Sequence, residues 1–405
     1  MIGDVIFQSV KIGSLDLLNG EASFNGIRIY ESIDDPFGSP LIEIDLVDPS
    51  DATKNITGDF EKNKCEIKFK YEPTGEVVGF SGVMHSSDNA QDNSGNKNQG
   101  SSSSKLSTIK FNQAELNHAN RNPVRETFNG PTTKHVEKIF KDYCKTDKQV
   151  ESRGGATEKR DIVHSTVVPI DAVQKTIYEH TNPKHKGLYF CFQEWSNGKG
   201  KIVQAPASYL LDQQPVVTLK ERTDLRYTGA TEQDEQNSII ASEAFPADVL
   251  PRATCRAVKQ SVNLSTHVCV DEKFKDDTRT KKPAYKQPYK DGEYVVKYTE
   301  DTINNGNKHT AADSAREKAQ QASHLLQGVA KIECPGNPKI KLGSVIALDI
   351  PKKTDNKQFG GDTQVNKNCL VTAIKHNIKP SGQRPQWTMT LELVKGGMEQ
   401  GGQNA

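Results

Sequence analysis

The chain has 405 residues, enough for two to four domains at roughly 100–200 residues each. Lys and Arg number 53 against 52 Asp and Glu, a net charge of +1, so the chain lacks the basic excess of a protein that wraps duplex nucleic acid. Hydrophobic residues make up 34%, which suits several small cores, and no apolar run nears the ~18–20 residues that a membrane-spanning helix needs.

The N-terminus, Met1-Ile2-Gly3-Asp4, has neither the basic start nor the apolar stretch of a secretory signal, so synthesis in a cytoplasm is expected. The seven cysteines are odd in number and form no CxxC pair, which points to free, packed thiols.

Residues 1–84 read as strands. Ile42, Ile44 and Leu46 alternate with Glu43 and Asp45, and Cys65, Ile67, Phe69 and Tyr71 alternate with Glu66, Lys68 and Lys70. A period of two turns one row inward and the charged row outward. Pro36-Phe37-Gly38 and Pro73-Thr74-Gly75 mark turns. Residues 85–105 carry almost no apolar side chains and end in Ser101–Ser104, so they read as a flexible loop between two strands, the second at Ser107–Phe111.

Val136, Ile139, Phe140 and Tyr143 follow i, i+3, i+4, i+7, which predicts a helix over 131–143 opened by Pro131. Ile170, Val173 and Ile177 predict a second over 170–180. Leu188–Phe192 and Lys201–Val203 read as a hairpin turning near Asn197-Gly198. Residues 212–305 are polar, with short strand-like pieces at Val216–Leu219 and Glu293–Val296, and read as extended and loop-rich. Ala311, Ala315, Ala319, Ala322 and Leu326 form a small-residue stripe on a helix closed by Gly328. Four antiparallel strands then follow, at Val329–Cys334, Ser344–Ile350, Cys369–Ile378 and Trp387–Val394, which suggests a small barrel or curled sheet.

Chemistry-bearing constellations are sparse. His180, His185 and Cys191 give three nearby ligands where zinc wants four, and Cys191 sits in an apolar strand. They read as surface histidines and a core thiol. His267-Val268-Cys269 is sparser still. There is no GxSxG, P-loop, GxGxxG or HExxH motif. No catalytic, cofactor-binding or metal-ligating residue is therefore assigned, and no cofactor is expected. Two carboxylates suffice for a glycosidase, so a peptidoglycan-degrading enzyme stays open as the alternative. Lys281–Lys290, within a Lys/Tyr-rich arm over 281–298, interleaves lysine with tyrosine and proline. Such spacing fits either single-strand binding or a solvated arm at a protein interface.

The C-terminal block carries a resemblance. Gly328–Cys334, Pro338–Leu348, Cys369–His376 and Trp387–Leu393, in that order, resemble the second barrel of phage tail hub proteins. That family includes the baseplate hub of T-even phages, the late control D proteins, and the N-terminal part of type VI secretion spikes. Leu342-Gly343-Ser344 stands where the family has a glycine turn. Val371–His376 stands where it has a V-x-x-x-x-H strand ahead of an aromatic-led final strand. Tyr189–Glu194 looks like another family strand before a hairpin. The serine-rich loop departs from the family, and the chain ends at Ala405 with no spike or lysozyme domain, so a hub of this kind would meet its spike as a separate protein.

The resemblance implies a β-rich α+β multidomain fold, two small barrel-like tube domains with inserted α+β domains. The first barrel would span 1–118 with the loop at 85–105, and a small α+β domain 119–205. The second barrel would come from 206–245 and 308–395, around a loop-rich inserted domain at 246–307, with a disordered tail at 396–405. It implies a non-catalytic virion component of a contractile tail's baseplate, made in the host cytoplasm. Three copies, six barrels, would form a pseudo-hexameric ring. The implied partners are its own copies, a tail tube protein or tube-initiator ring, a central spike protein, surrounding baseplate proteins, and a tape-measure protein or DNA in the lumen, without membrane insertion.

Overall fold

The computed structural model describes residues 4–19, 22–48, 63–89, 105–178, 188–221, 237–244, 255–263, 268–273, 294–301, 329–349, 368–380 and 385–395, with His180, Asn182, Lys184 and His185. The predicted Ala311–Leu326 helix, the Lys281–Lys290 segment, His267 and the 396–405 tail lie outside these residues.

Strands β1 (Val5–Ile12), β2 (Leu15–Asp16), β3 (Ser23–Ser32), β4 (Leu41–Asp48), β5 (Lys64–Tyr71), β6 (Val77–Asn89) and β7 (Lys105–Asn112) build the first barrel. Their hydrogen-bonded order is β3-β4-β7-β6-β5-β1-β2. The two-residue period holds in space: Ile42, Ile44 and Leu46 are buried, as are Cys65, Ile67, Phe69 and Tyr71, while Lys64, Glu66 and Lys70 face outward. Strand β6 runs into the stretch that was expected to be a loop from 85. Ser86–Asn89 pair with Lys110–Ser107 and continue β6. Backbone pairing alone satisfies these polar residues, so no buried row betrayed them in the sequence. Residues 90–104 lie outside the described residues.

Helix α1 (Ala114–Ala119) opens the inserted unit, followed by β8 (Val124–Pro131), α2 (Thr132–Lys138), β9 (Gln149–Ser152), β10 (Lys159–Val167), α3 (Pro169–Tyr178), β11 (Tyr189–Ser196) and β12 (Lys199–Pro206). Both predicted helices are present. The first continues α2 as a π-turn over Ile139–Tyr143, and its Val136, Ile139 and Phe140 are buried. The predicted hairpin is β11–β12, and β9 adds to it in parallel. Phe37, read only as part of a turn, instead plugs this unit's core and stacks on Phe140 at 4.9 Å. Its turn is held by Asp35 Oδ1, which accepts from the Phe37 and Gly38 amides.

Strand β11 is buried on both faces. Phe190 and Phe192 join the barrel core and Cys191 the core of the inserted unit. Continuous burial replaces alternation where a strand is covered on both sides.

Helix α4 (Ala207–Leu211), β13 (Thr218–Glu221), β14 (Ser238–Ile239) and β15 (Ala241–Ala244) return the chain to the main sheet. Strands β16 (Cys255–Asn263), β17 (Val268–Lys273) and β18 (Tyr294–Asp301) make a separate three-stranded sheet in order β17-β16-β18. The region expected to be loop-rich therefore contains a sheet; the strand-like piece at Glu293–Val296 falls on β18, while β16 and β17 were not read from the sequence. The four C-terminal strands fall where expected: β19 (Val329–Pro335), β20 (Val345–Asp349), β21 (Asn368–Lys379) and β22 (Gln386–Lys395).

The two barrels are not separate bodies. One 14-stranded sheet contains both. Strand β21 is its branch point. Along one edge it pairs with β22 over its length. Its other edge is shared: Cys369 and Leu370 pair with β20, then Ala373–Ile378 pair with β3. The switch falls at Thr372, beside a register shift, where Thr372 O accepts from the Ile33 amide at 2.9 Å. On the second side, β22 pairs with β19 and β19 with β15, while β13 pairs with both β14 and β20. On the first side, the Asp4–Gln386 bridge and the Val5 amide to Pro385 O, 3.2 Å, close one corner. A single buried cluster runs through both barrels, from Val10 and Phe69 to Leu348 and Leu391.

Candidate functional site: the junctions that bind the barrels and the inserted unit

Trp387 is the second residue of β22 and is 1% exposed. Its ring meets Phe69 at 5.1 Å, Tyr71 at 5.8 Å and His376 at 5.8 Å. Gly336 lies against it so closely that a Cβ there would stand 2.0 Å from the indole. The indole N–H donates to His376 Nδ1 at 3.2 Å. Indole is a donor only, so Nδ1 accepts and the ring hydrogen sits on Nε2. Nε2 lies 2.8 Å from Glu31 Oε2 on β3. These two residues are 345 apart in sequence, and their bond crosses the β21–β3 seam. His376 is the histidine of the resemblance motif, and the structure makes it a buried link between the barrels.

A narrow cleft of about 30 Å³ borders this group, with Phe80, Trp195 and Leu342 among its walls. That is space for about one water molecule and too little for a substrate.

Lys148 holds the second junction, and no sequence signal marked it. Its Nζ donates to Glu115 Oε2 (2.8 Å), Gln113 Oε1 (2.9 Å) and Gln193 Oε1 (2.9 Å), and lies 5.2 Å from the Trp195 ring centroid. Gln113 Nε2 in turn donates to Pro40 O and Ser81 O of the first barrel, and Gln193 Nε2 to Pro36 O. The lysine thus ties α1 and β11 to the loop that carries Phe37. Burial pushes the Glu115 carboxyl up, but the Lys148 charge and the bonds from Lys148 and Thr146 outweigh it and hold the group below the usual range. Burial lowers the Lys148 ammonium, and Glu115 offsets part of that.

His180, His185 and Cys191 sit in different surroundings. His180 is fully buried rather than on the surface, with Nε2 2.9 Å from Gln204 Oε1. His185 is half-buried, its Nδ1 3.2 Å from Ser208 Oγ. Among the described residues no group of three or more His, Cys, Asp or Glu could hold a metal ion. Cys65, Cys144, Cys191 and Cys334 are free and buried, as expected, Cys369 is buried too, and burial pushes the Cys144 and Cys334 thiols up to about 12.

The inserted unit also buries His135 and His164 on either side of Phe128, at 5.1 and 5.6 Å between rings. Burial holds both imidazoles below the ordinary value of 6.5. Lys138, and Lys175 with His135 itself, act in the same direction on His135 and His164 respectively, while the Asn129 backbone and Asp161 partly oppose on His135. The unfolded chain then binds protons more readily than the folded one, so stability is full above about 6.5 and is lost as pH falls. Thermal melts across pH should show the melting temperature dropping below about 6.5. A His135→Phe, His164→Met chain should give a flatter profile.

This fold, two barrel-like domains sharing a sheet with inserted α+β units, is similar to those of phage tail proteins and of a type VI secretion component. A tail protein from Neisseria meningitidis MC58 superposes with a TM-score of 0.59 at 12% identity, covering 98% of each chain. The 43 kDa tail protein of prophage MuSo2 from Shewanella oneidensis gives 0.56 at 12% identity, over 97% of this chain and 98% of its own. An Escherichia coli component of the type VI secretion system, described as structurally similar to T4 phage tail proteins, gives 0.51 at 9% identity, over 96% of this chain and 77% of its own. No protein-family model matches the sequence, and no curated protein does.

Proposed function

We propose that the chain is a structural, non-catalytic hub of a contractile phage tail, three copies of which form a pseudo-hexameric ring. One observation carries the reading: β21 pairs with strands of both barrels and one buried core runs through them, so each chain presents two barrels as a single block. Three such blocks give six barrels around an axis, the geometry that adapts a sixfold tube to a threefold spike. The near-complete overlap with tail proteins supports this role. In this reading one face of the ring meets the tail tube protein or tube-initiator ring and the other a central spike protein. Baseplate proteins surround it, and the lumen passes the tape-measure protein or DNA. The near-neutral charge suits a conduit, since many phosphate contacts would hold DNA fast. The chain's place is then the virion's tail baseplate, after synthesis in the host cytoplasm.

Negative-stain electron microscopy of the purified chain tests the ring. Threefold class averages with six peripheral lobes and an axial channel are expected. Particles without a channel would count against the hub.

A further inference from the structure

The inserted unit has its own hydrophobic core, apart from the one that runs through the barrels. Helices α2 and α3 pack on the β8–β10 ribbon, whose inward row includes Phe128, Ile162 and His164. Two buried imidazoles lie in this contact, His164 of β10 and His135 of α2, on either side of Phe128.

The hydrogen on His164 can be placed. Thr176 of α3 donates its hydroxyl hydrogen to Ala172 O at 2.7 Å, so its oxygen accepts from His164 Nε2 at 3.3 Å. Nε2 therefore carries the ring hydrogen. Nδ1 is bare, buried and without a hydrogen-bond partner among the described residues. A second proton would put a charged N–H there with nothing to accept it.

The acids beside the pair are committed. Glu126 of β8 stands opposite His164 in register and is held by Lys138 of α2 and Tyr143 of the π-turn. Asp161 of β10 accepts from Asn129 Nδ2. The other charged neighbours are cations, Lys138 on the His135 side and Lys175 of α3 on the His164 side, and a proton on His135 repels one on His164. Burial, with Lys175 and His135, already holds the His164 imidazole below its ordinary 6.5. Its contribution to stability is complete above about 6.5 and is lost as pH falls through the lower folded value.

We propose that this contact is an acid-operated latch: a proton on His164 frees α2 and α3 from the β8–β10 ribbon while the barrels stay folded, baring Phe128, Val136 and Phe140. Opening puts Nδ1 in water, where its new N–H finds an acceptor. The separate core of the inserted unit is what lets the release stay local. The latch does not depend on the ring.

Hydrogen exchange on the full chain, at about pH 7.5 and about pH 5 and corrected for the pH dependence of exchange itself, tests it. Amides of α2, α3 and β8 should exchange about tenfold faster in acid, with β4 and β22 unchanged. The dye 8-anilinonaphthalene-1-sulfonate should brighten over the same pH range as apolar surface appears. His164→Gln keeps a donor for Thr176 but cannot take the proton, and should lose the acid response. Lys175→Glu, an exposed change that should leave the fold intact, should move the release to lower pH by favouring the protonated ring in the closed form. No acid response, loss of protection in β4 and β22 together with α2 and α3, or a response unchanged in both variants overturns the proposal.

Discussion

Replacing Trp387 with alanine is expected to destabilise both barrels together by about 3–5 kcal/mol. The cost comes from several sources at one point. The indole is 1% exposed, packed edge-on against Phe69 and Tyr71 and stacked with His376. Its removal opens a cavity in a core that cannot collapse onto Gly336, which has no side chain to fill it. It also strips His376 Nδ1 of its donor in a buried site. Because Trp387 of β22 packs on Phe69 and Tyr71 of the first barrel, and β21 pairs with strands of both, the loss should not stay local. Urea unfolding followed by circular dichroism and by the fluorescence of Trp195, the remaining tryptophan, should give coincident curves at a lower midpoint. Two separated transitions, one per barrel, would show that the shared strands do not couple them. The small hairpin at Asn197–Gly198 offers a control: Ser196→Ala there, at an exposed position, should leave the midpoint unchanged.

Lys148→Met is expected to cost about 3–5 kcal/mol as well, by a different route. The methionine fills much of the lysine's volume, but Glu115 is left as a buried charge without its counter-ion. Gln113 and Gln193 lose a donor each. The carboxyl's low folded-state value stabilises the protein above the ordinary 4.5 and ceases to do so as pH falls through that lower value. The gap between the parent and the variant should therefore be widest near neutral pH and narrow in acid. Adding Glu115→Leu to the variant should recover part of the loss, since an apolar pair leaves no unpaired charge. A melting temperature unchanged by Lys148→Met would mean that the network contributes nothing net. Hydrogen exchange should place the new weakness between the inserted unit and the barrel, where the Phe37 loop enters.

Much of the fold was legible because its strands have one buried and one wet face. The rows Ile42-Ile44-Leu46 and Trp387-Met389-Leu391-Leu393 each declared a strand, and the structure buries every one of these side chains. The helical stripe at Val136, Ile139 and Phe140 was equally plain, though the π-turn that continues it left no mark. Illegible parts share a cause. Ser86–Asn89 and much of β16 are polar, so pattern carried little information there, whereas the strand-like piece at Glu293–Val296 does fall at the start of β18. The joining of the barrels was hidden for another reason. The partners of β21 are strands far apart in the sequence, and nothing local in Ala373–Ile378 names Ser32–Ile27 as their match. The junction chemistry was hidden in the same way. His376 stood out by its place in a motif, but Glu31 and Lys148 look like ordinary charged residues until the fold buries them. His180 shows the reverse error: polar neighbours placed it on the surface, whereas Gln204 on β12 gives it a buried partner.

The central claim is the ring, and the solution mass of the purified chain tests it most directly. One chain weighs 44.7 kDa, and closed threefold symmetry gives about 134 kDa. Multi-angle light scattering across a wide concentration range should report the trimer, with its mass constant on dilution. A mass of 44.7 kDa at every concentration would contradict the account.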